Sequence, residues 1–151
     1  TEELRPMLEN ERRLKMKVRI INVEGELFFG AVDLFQSALK AIAEDDNETR
    51  VFILRLKHVR DLDATACLAL RQLHDYLRKG SRHLIVSSLP GKVWAVLEKA
   101  QLIEHLGRDN LLVFDELNPH QSIESALKRA KTLLDTTDRE PPVEAPHIGL
   151  R

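Results

Sequence analysis

The stretch from Val51 to Gly80, VFILRLKHVRDLDATACLALRQLHDYLRKG, constrains the fold more than any other. Val51–Leu56 is a short apolar run of the kind that forms a buried strand. His58–Leu62 is a polar turn. From Asp63 onward the period changes, and Ala66, Ala69, Leu70, Leu73 and Leu77 recur at helical spacing. Gly80 follows, as glycine commonly does just past a helix. The order is therefore strand, acidic turn, helix. It places Asp61–Thr65 at the carboxyl end of a strand and the amino end of a helix, where open α/β sheets put their function. Backbone N–H groups are unpaired there and the helix dipole is positive.

The flanking segments fit the same alternation. Residues 1–14 are charged, contain Pro6, and read as a linker or lead-in helix. Lys15–Val23 brings in β-formers, and Leu27-Phe28-Phe29 reads as a second short strand after a tight turn or bulge at Glu24-Gly25-Glu26. Ala31, Leu34, Phe35, Ala38, Leu39 and Ile42 then predict an amphipathic helix. Further on, HLIVSSL around Leu84–Val86 predicts a buried strand. Pro90-Gly91 marks a turn into a short helix carrying Val93, Val96, Leu97 and Ala100, with Trp94 beside its apolar face. Leu102 and Ile103 follow, and Gly107 closes that segment. Leu111–Phe114 reads as an edge strand. Asn118-Pro119-His120-Gln121 resembles a helix cap with Pro in the first turn. Ile123, Ala126, Leu127, Ala130, Leu133 and Leu134 make a last amphipathic helix. Residues 135–151 hold three prolines and read as a disordered tail. Strands alternating with helices predict an α/β fold: one domain, a mostly parallel mixed sheet with an antiparallel edge, and about four packed helices.

Composition removes several classes of function. The 151 residues suit one domain with tails, able to bury a core without staples. The net charge of −1, with both signs interspersed, argues against a nucleic-acid partner, which needs a basic face. Cys67 is the sole cysteine, so no internal disulfide forms and a reducing, cytoplasmic setting is expected. No apolar run approaches the ~20 residues that span a bilayer, so the chain itself is expected to be soluble. It begins at Thr1 rather than Met, which suits a piece of a longer polypeptide.

No catalytic pattern emerges, and the expectation is a binding module rather than an enzyme. The phosphate-binding patterns GxGxxG and GxxxxGK[ST] are absent. None of the six histidines lies three or four residues from another, so no metal site and no cofactor are expected. Cys67 and His74 sit seven residues apart on one helix, roughly 10 Å by helix rise, too far to activate a thiolate. Asp61 and Asp63 flank Leu62; for Asp63 the plain role is capping the helix and opposing its dipole. Thr65, Ser87 and Ser88 carry hydroxyls near strand ends, where a phosphate is physically favourable but a local backbone hydrogen bond is the default.

Two segments carry a family likeness. VRIINVEGELFFGAVDLF (residues 18–35) resembles the opening of the STAS domain of SulP-type anion transporters, in which a Gly-x-Leu-Phe-Phe segment leads into the first helix. VFILRLKHVRDLDATACLAL (residues 51–70) resembles the STAS core: an apolar strand, a turn, and an acidic helix start. The likeness spans residues 15–134. It implies a non-catalytic cytoplasmic regulatory or interaction domain of a transporter for sulfate or a related anion. The implied partners are the transporter's membrane domain in the same polypeptide, a second copy of the domain, or a soluble protein; weak nucleotide binding is also permitted by the resemblance. The expected regulatory turn is Asp61, Asp63, Ala64 and Thr65, and the expected contact face on the following helix is Arg71, Gln72, Asp75 and Arg78.

The alternative is a free-standing signalling protein like the anti-sigma-factor antagonists, which bind a kinase. In that branch a phosphorylatable Ser or Thr directly follows the Asp. Here that position is Ala64, which has no hydroxyl. Thr65, a phosphorylation candidate together with Ser87 and Ser88, is one residue later and ~100° further round the helix.

Overall fold

The computed structural model describes residues 4–23, 40, 42, 48–56, 59 and 62–139. Helix α1 (Leu4–Lys17) runs directly into strand β1 (Val18–Asn22). Pro6 falls in the first turn of α1, where an N–H would lack an intrahelical acceptor anyway. Strand β2 (Val51–Arg55), helix α2 (Ala64–Lys79), strand β3 (His83–Leu89) and helix α3 (Gly91–Lys99) follow. A short helix α4 (Ile103–Leu106), a 3₁₀ turn (Arg108–Asn110), strand β4 (Leu111–Val113) and the long helix α5 (Gln121–Arg139) complete the order.

The strands lie side by side as β1-β2-β3-β4, and every pairing is parallel. The antiparallel edge expected from the sequence is not seen among the described residues. Leu27–Phe29, which would supply it, and the turn at Glu24–Glu26 lie outside them. Of the helix expected over residues 31–42, Lys40 and Ile42 are described; both are helical, and Ile42 is buried in the core.

The central strands explain their own composition. Phe52 and Leu54 of β2, with Leu84 and Val86 of β3, face one core that α2, α3 and α4 cover. Val51 and Ile53, with Ile85, face a second core under α5. With both faces covered, β2 reads as an unbroken apolar run instead of alternating. The small Ala126 and Ala130 lie buried in this second core beside Ile53 and Ile85, with Leu134 closing the same stripe.

Other boundaries differ from the sequence reading. The lead-in is helical as far as Lys17, and Leu14 packs against the second core. The last helix runs to Arg139, so the first five residues of the expected tail are helical. Its start is later than the capping pattern suggests: the Asn118 carbonyl accepts from Gln121 N at 3.0 Å, closing a turn ahead of the helix. Five α-helices have both ends among the described residues, besides the helical Lys40 and Ile42; α1 and the single turn α4 come in addition to the packed helices expected.

Candidate functional site

In a parallel sheet every helix that follows a strand starts at the same edge, so α2, α3 and α5 open where the strands end. The amino end of α2 is built by Asp63. Its backbone is extended (φ −86°, ψ 177°), and its Oδ1 accepts from Ala66 N at 2.8 Å and from the Thr65 hydroxyl at 2.6 Å. These two bonds, the hydroxyl first, hold the Asp63 carboxyl below its ordinary pKa. The capping role expected from sequence is thus the observed one. Ala64 is the exposed first residue of α2. Thr65 is exposed too, but a phosphoryl group on it would confront the Asp63 carboxylate. Asp61 lies outside the described residues. Ser87 and Ser88 are 0% and 1% exposed, which removes them as surface phosphate acceptors.

The expected contact face of α2 divides in two. Arg71 and Gln72 are exposed to solvent. Asp75 and Arg78 instead meet imidazoles: Asp75 Oδ1 lies 2.8 Å from His105 Nε2 of α4, and the Arg78 guanidinium donates to His83 Nδ1 at 3.2 Å. Two residues that the sequence reading did not select complete the face. Leu68 and Tyr76 are 54% and 53% exposed. With Gln72 they form an i, i+4, i+8 row off the buried stripe. Their signal in the sequence was positional, since neither belongs to the Ala66–Leu77 apolar stripe.

Cys67 is buried in the core, and burial raises its thiol pKa, with the Asp63 charge adding to the effect. It is a packing residue and not an activated nucleophile. The histidines bring a surprise. His74 and His105 are far apart in sequence, yet their rings meet edge to face with centroids 5.3 Å apart, beside Asp75. Spacing along one helix could not reveal this, because α4 delivers the second imidazole. Elsewhere an open groove runs beside β4, the last strand of the sheet among the described residues, with Val113, Phe114, Leu117 and Gln121 along it.

The STAS domain family model matches residues 9–119, most of the chain and all of α2 and α4. The chain belongs to the STAS domain family. Solved structures agree with that assignment. A sulfate transporter family protein from Wolinella succinogenes is similar at 26% identity, with a TM-score of 0.63 over 78% of this chain and 88% of that one. The STAS domain of a SulP transporter from Vibrio cholerae is similar at 25% identity, with a TM-score of 0.59 over 80% and 85% of the two chains. The murine Solute Carrier 26 family member A9 anion transporter, in its inward-facing state, shares the fold at 17% identity and a TM-score of 0.63; the match covers 78% of this chain but 18% of the transporter. Comparison of the sequence with curated proteins gives no match. No helix of this STAS domain is long and apolar enough, among the described residues, to cross a membrane.

Proposed function

We propose that this STAS domain is the non-catalytic, cytoplasmic regulatory domain of a SulP-type transporter for sulfate or a related anion. The observation that carries the reading is the pair of bacterial neighbours, which match over 88% and 85% of their own length and come from a sulfate transporter family protein and a SulP transporter. The murine transporter supplies a setting, since there the fold is a minor part of a much longer anion-transporting chain. The partner in this reading is the membrane domain of the same polypeptide. The contact is made by the Asp61–Thr65 turn and the exposed row of α2, where Leu68 and Tyr76 offer apolar area and Arg71 and Gln72 offer polar contacts. Ala64 in place of a hydroxyl residue fits a surface that works by contact, without a kinase.

The test is anion uptake by the full polypeptide that carries the domain. Arg71→Glu combined with Tyr76→Ala is expected to change sulfate uptake by about two- to fivefold, the scale of coupling through a surface contact. The isolated double variant should keep its circular dichroism and its thermal midpoint. Uptake indistinguishable from the parent, at equal expression, would sink this assignment of the surface.

A further inference from the structure

We propose that His74, Asp75 and His105 form a site for one divalent transition-metal ion of the zinc type. His74 and Asp75 project from the middle of α2, and His105 comes from α4. One donor atom from each lies within 4.8 Å of the others. Zinc bonds to imidazole and carboxylate are about 2.0–2.2 Å, so donors around a tetrahedral ion stand roughly 3.3 Å apart. The 2.8 Å between His105 Nε2 and Asp75 Oδ1 must open slightly, within reach of small side-chain rotations.

The donor set selects the ion. Two imidazoles and one carboxylate suit zinc, nickel or copper, whereas magnesium and calcium take oxygen cages.

An ion pair between Asp75 and His105 explains their 2.8 Å contact but makes no use of His74. Yet His74 carries a buried Nδ1 with no hydrogen-bond partner among the described residues. In the proposed site this Nδ1 is the His74 ligand atom, and ligation supplies a partner for its lone pair. His105 and Asp75 are open to solvent on their outer side (side chains 34% and 48% exposed), leaving room for water at the fourth position. The bound ion would tie α2 to α4.

The experiment uses the untagged chain, stripped with EDTA and dialysed, and titrated with cobalt(II) and then with zinc. The expected result is one equivalent of cobalt with visible bands of a tetrahedral centre, displaced by zinc. Zinc at about 100 times its Kd should raise Tm by on the order of 5–10 °C. His105→Ala and Asp75→Asn, both at partly exposed positions, should weaken binding by roughly tenfold or more and remove the Tm shift. His120→Ala, at an exposed histidine outside the cluster, should bind as the parent does. No stoichiometric uptake at millimolar metal overturns the proposal, as does equal uptake by the parent, His105→Ala and Asp75→Asn. Neither result bears on the transporter reading, which is tested through uptake.

Discussion

Ser81 and Gln101 stand in the left-handed region, at φ 58° and φ 59°, each one residue beyond the final turn of a helix. The hydrogen bonds explain why. After α2, Arg82 N reaches Leu77 O at 2.9 Å and Ser81 N reaches Arg78 O at 3.0 Å. After α3, Leu102 N reaches Leu97 O at 2.9 Å and Gln101 N reaches Glu98 O at 3.0 Å. Both are Schellman closures, in which the residue after the cap must turn left-handed. Gly80 sits one position too early to serve, with an ordinary φ of −94°. A side chain in that region costs about 1–2 kcal/mol, and glycine's extra freedom in the unfolded chain returns part of that. Ser81→Gly and Gln101→Gly are therefore each expected to stabilise the domain by about 0.5–1 kcal/mol, read as a higher urea midpoint at unchanged slope. A lower midpoint in both variants would show that the side chains contribute more than the backbone loses. Gly107 is the contrasting case: φ is +96°, and an added Cβ would lie 2.7 Å from Asn110 Nδ2, which bonds to Leu106 O.

Strand β3 departs from a regular ladder just where α5 begins. Val86 pairs with Leu111 and Leu89 with Val113, so Ser87 and Ser88 together oppose Leu112 alone, a bulge in which Ser88 takes φ 54°. The buried Ser88 N–H is turned out of the ladder and donates to Ser122 Oγ at 2.6 Å; the Ser122 hydroxyl in turn donates to Leu112 O at 3.3 Å. Ser122 continues the Ala126–Ala130 stripe by one turn, so α5 both covers the sheet and repairs its irregular strand. Ser122→Ala should cost about 1–3 kcal/mol by leaving that N–H unpaired, even though Ala is the better helix former by a few tenths of a kcal/mol. Thermal unfolding of the variant checks this; an unchanged Tm would mean another acceptor replaces the hydroxyl. The same element shows what the sequence could disclose. Strand β2 was legible as an unbroken apolar run and helix α2 by its single hydrophobic period, and Asp63 was legible as a cap because its partner is three residues away. The bulge was not, since Ser87-Ser88 carries no glycine or proline signal. Helix α4 is too short to display a period. The His74–Asp75–His105 cluster depends on how α4 packs on α2, and no local pattern encodes that.

Across the whole molecule, the two cores share β2 and β3, so elements on either face of the sheet stabilise the same strands. His83, the first residue of β3, lies where both faces act on it. Arg78 of α2 donates to its Nδ1, and because a guanidinium can only donate, that nitrogen must be an acceptor and the ring neutral. Burial, then the positive charges of Arg78 and of Arg129 on α5, then His74, push its pKa down from the ordinary 6.5 to about 4. The unfolded chain therefore binds a proton between pH 6.5 and pH 4 that the folded chain refuses. Stability must fall as pH falls through that window, with no further loss from this group below about pH 4. At 1.36 kcal/mol per pH unit, discounted for the solvent that reaches the ring, the loss is on the order of 2 kcal/mol. The His74 pKa is lowered as well and adds a loss of the same sign, so the parent curve alone does not isolate His83. The difference between parent and His83→Gln does. Urea unfolding at pH 7, 5.5 and 4.5 should show the variant losing less stability on acidification than the parent. Parallel losses in the two proteins would mean that the arginines of α2 and α5 do not bear on this imidazole, and the acid sensitivity would then belong to His74 and its neighbours on α2 and α4.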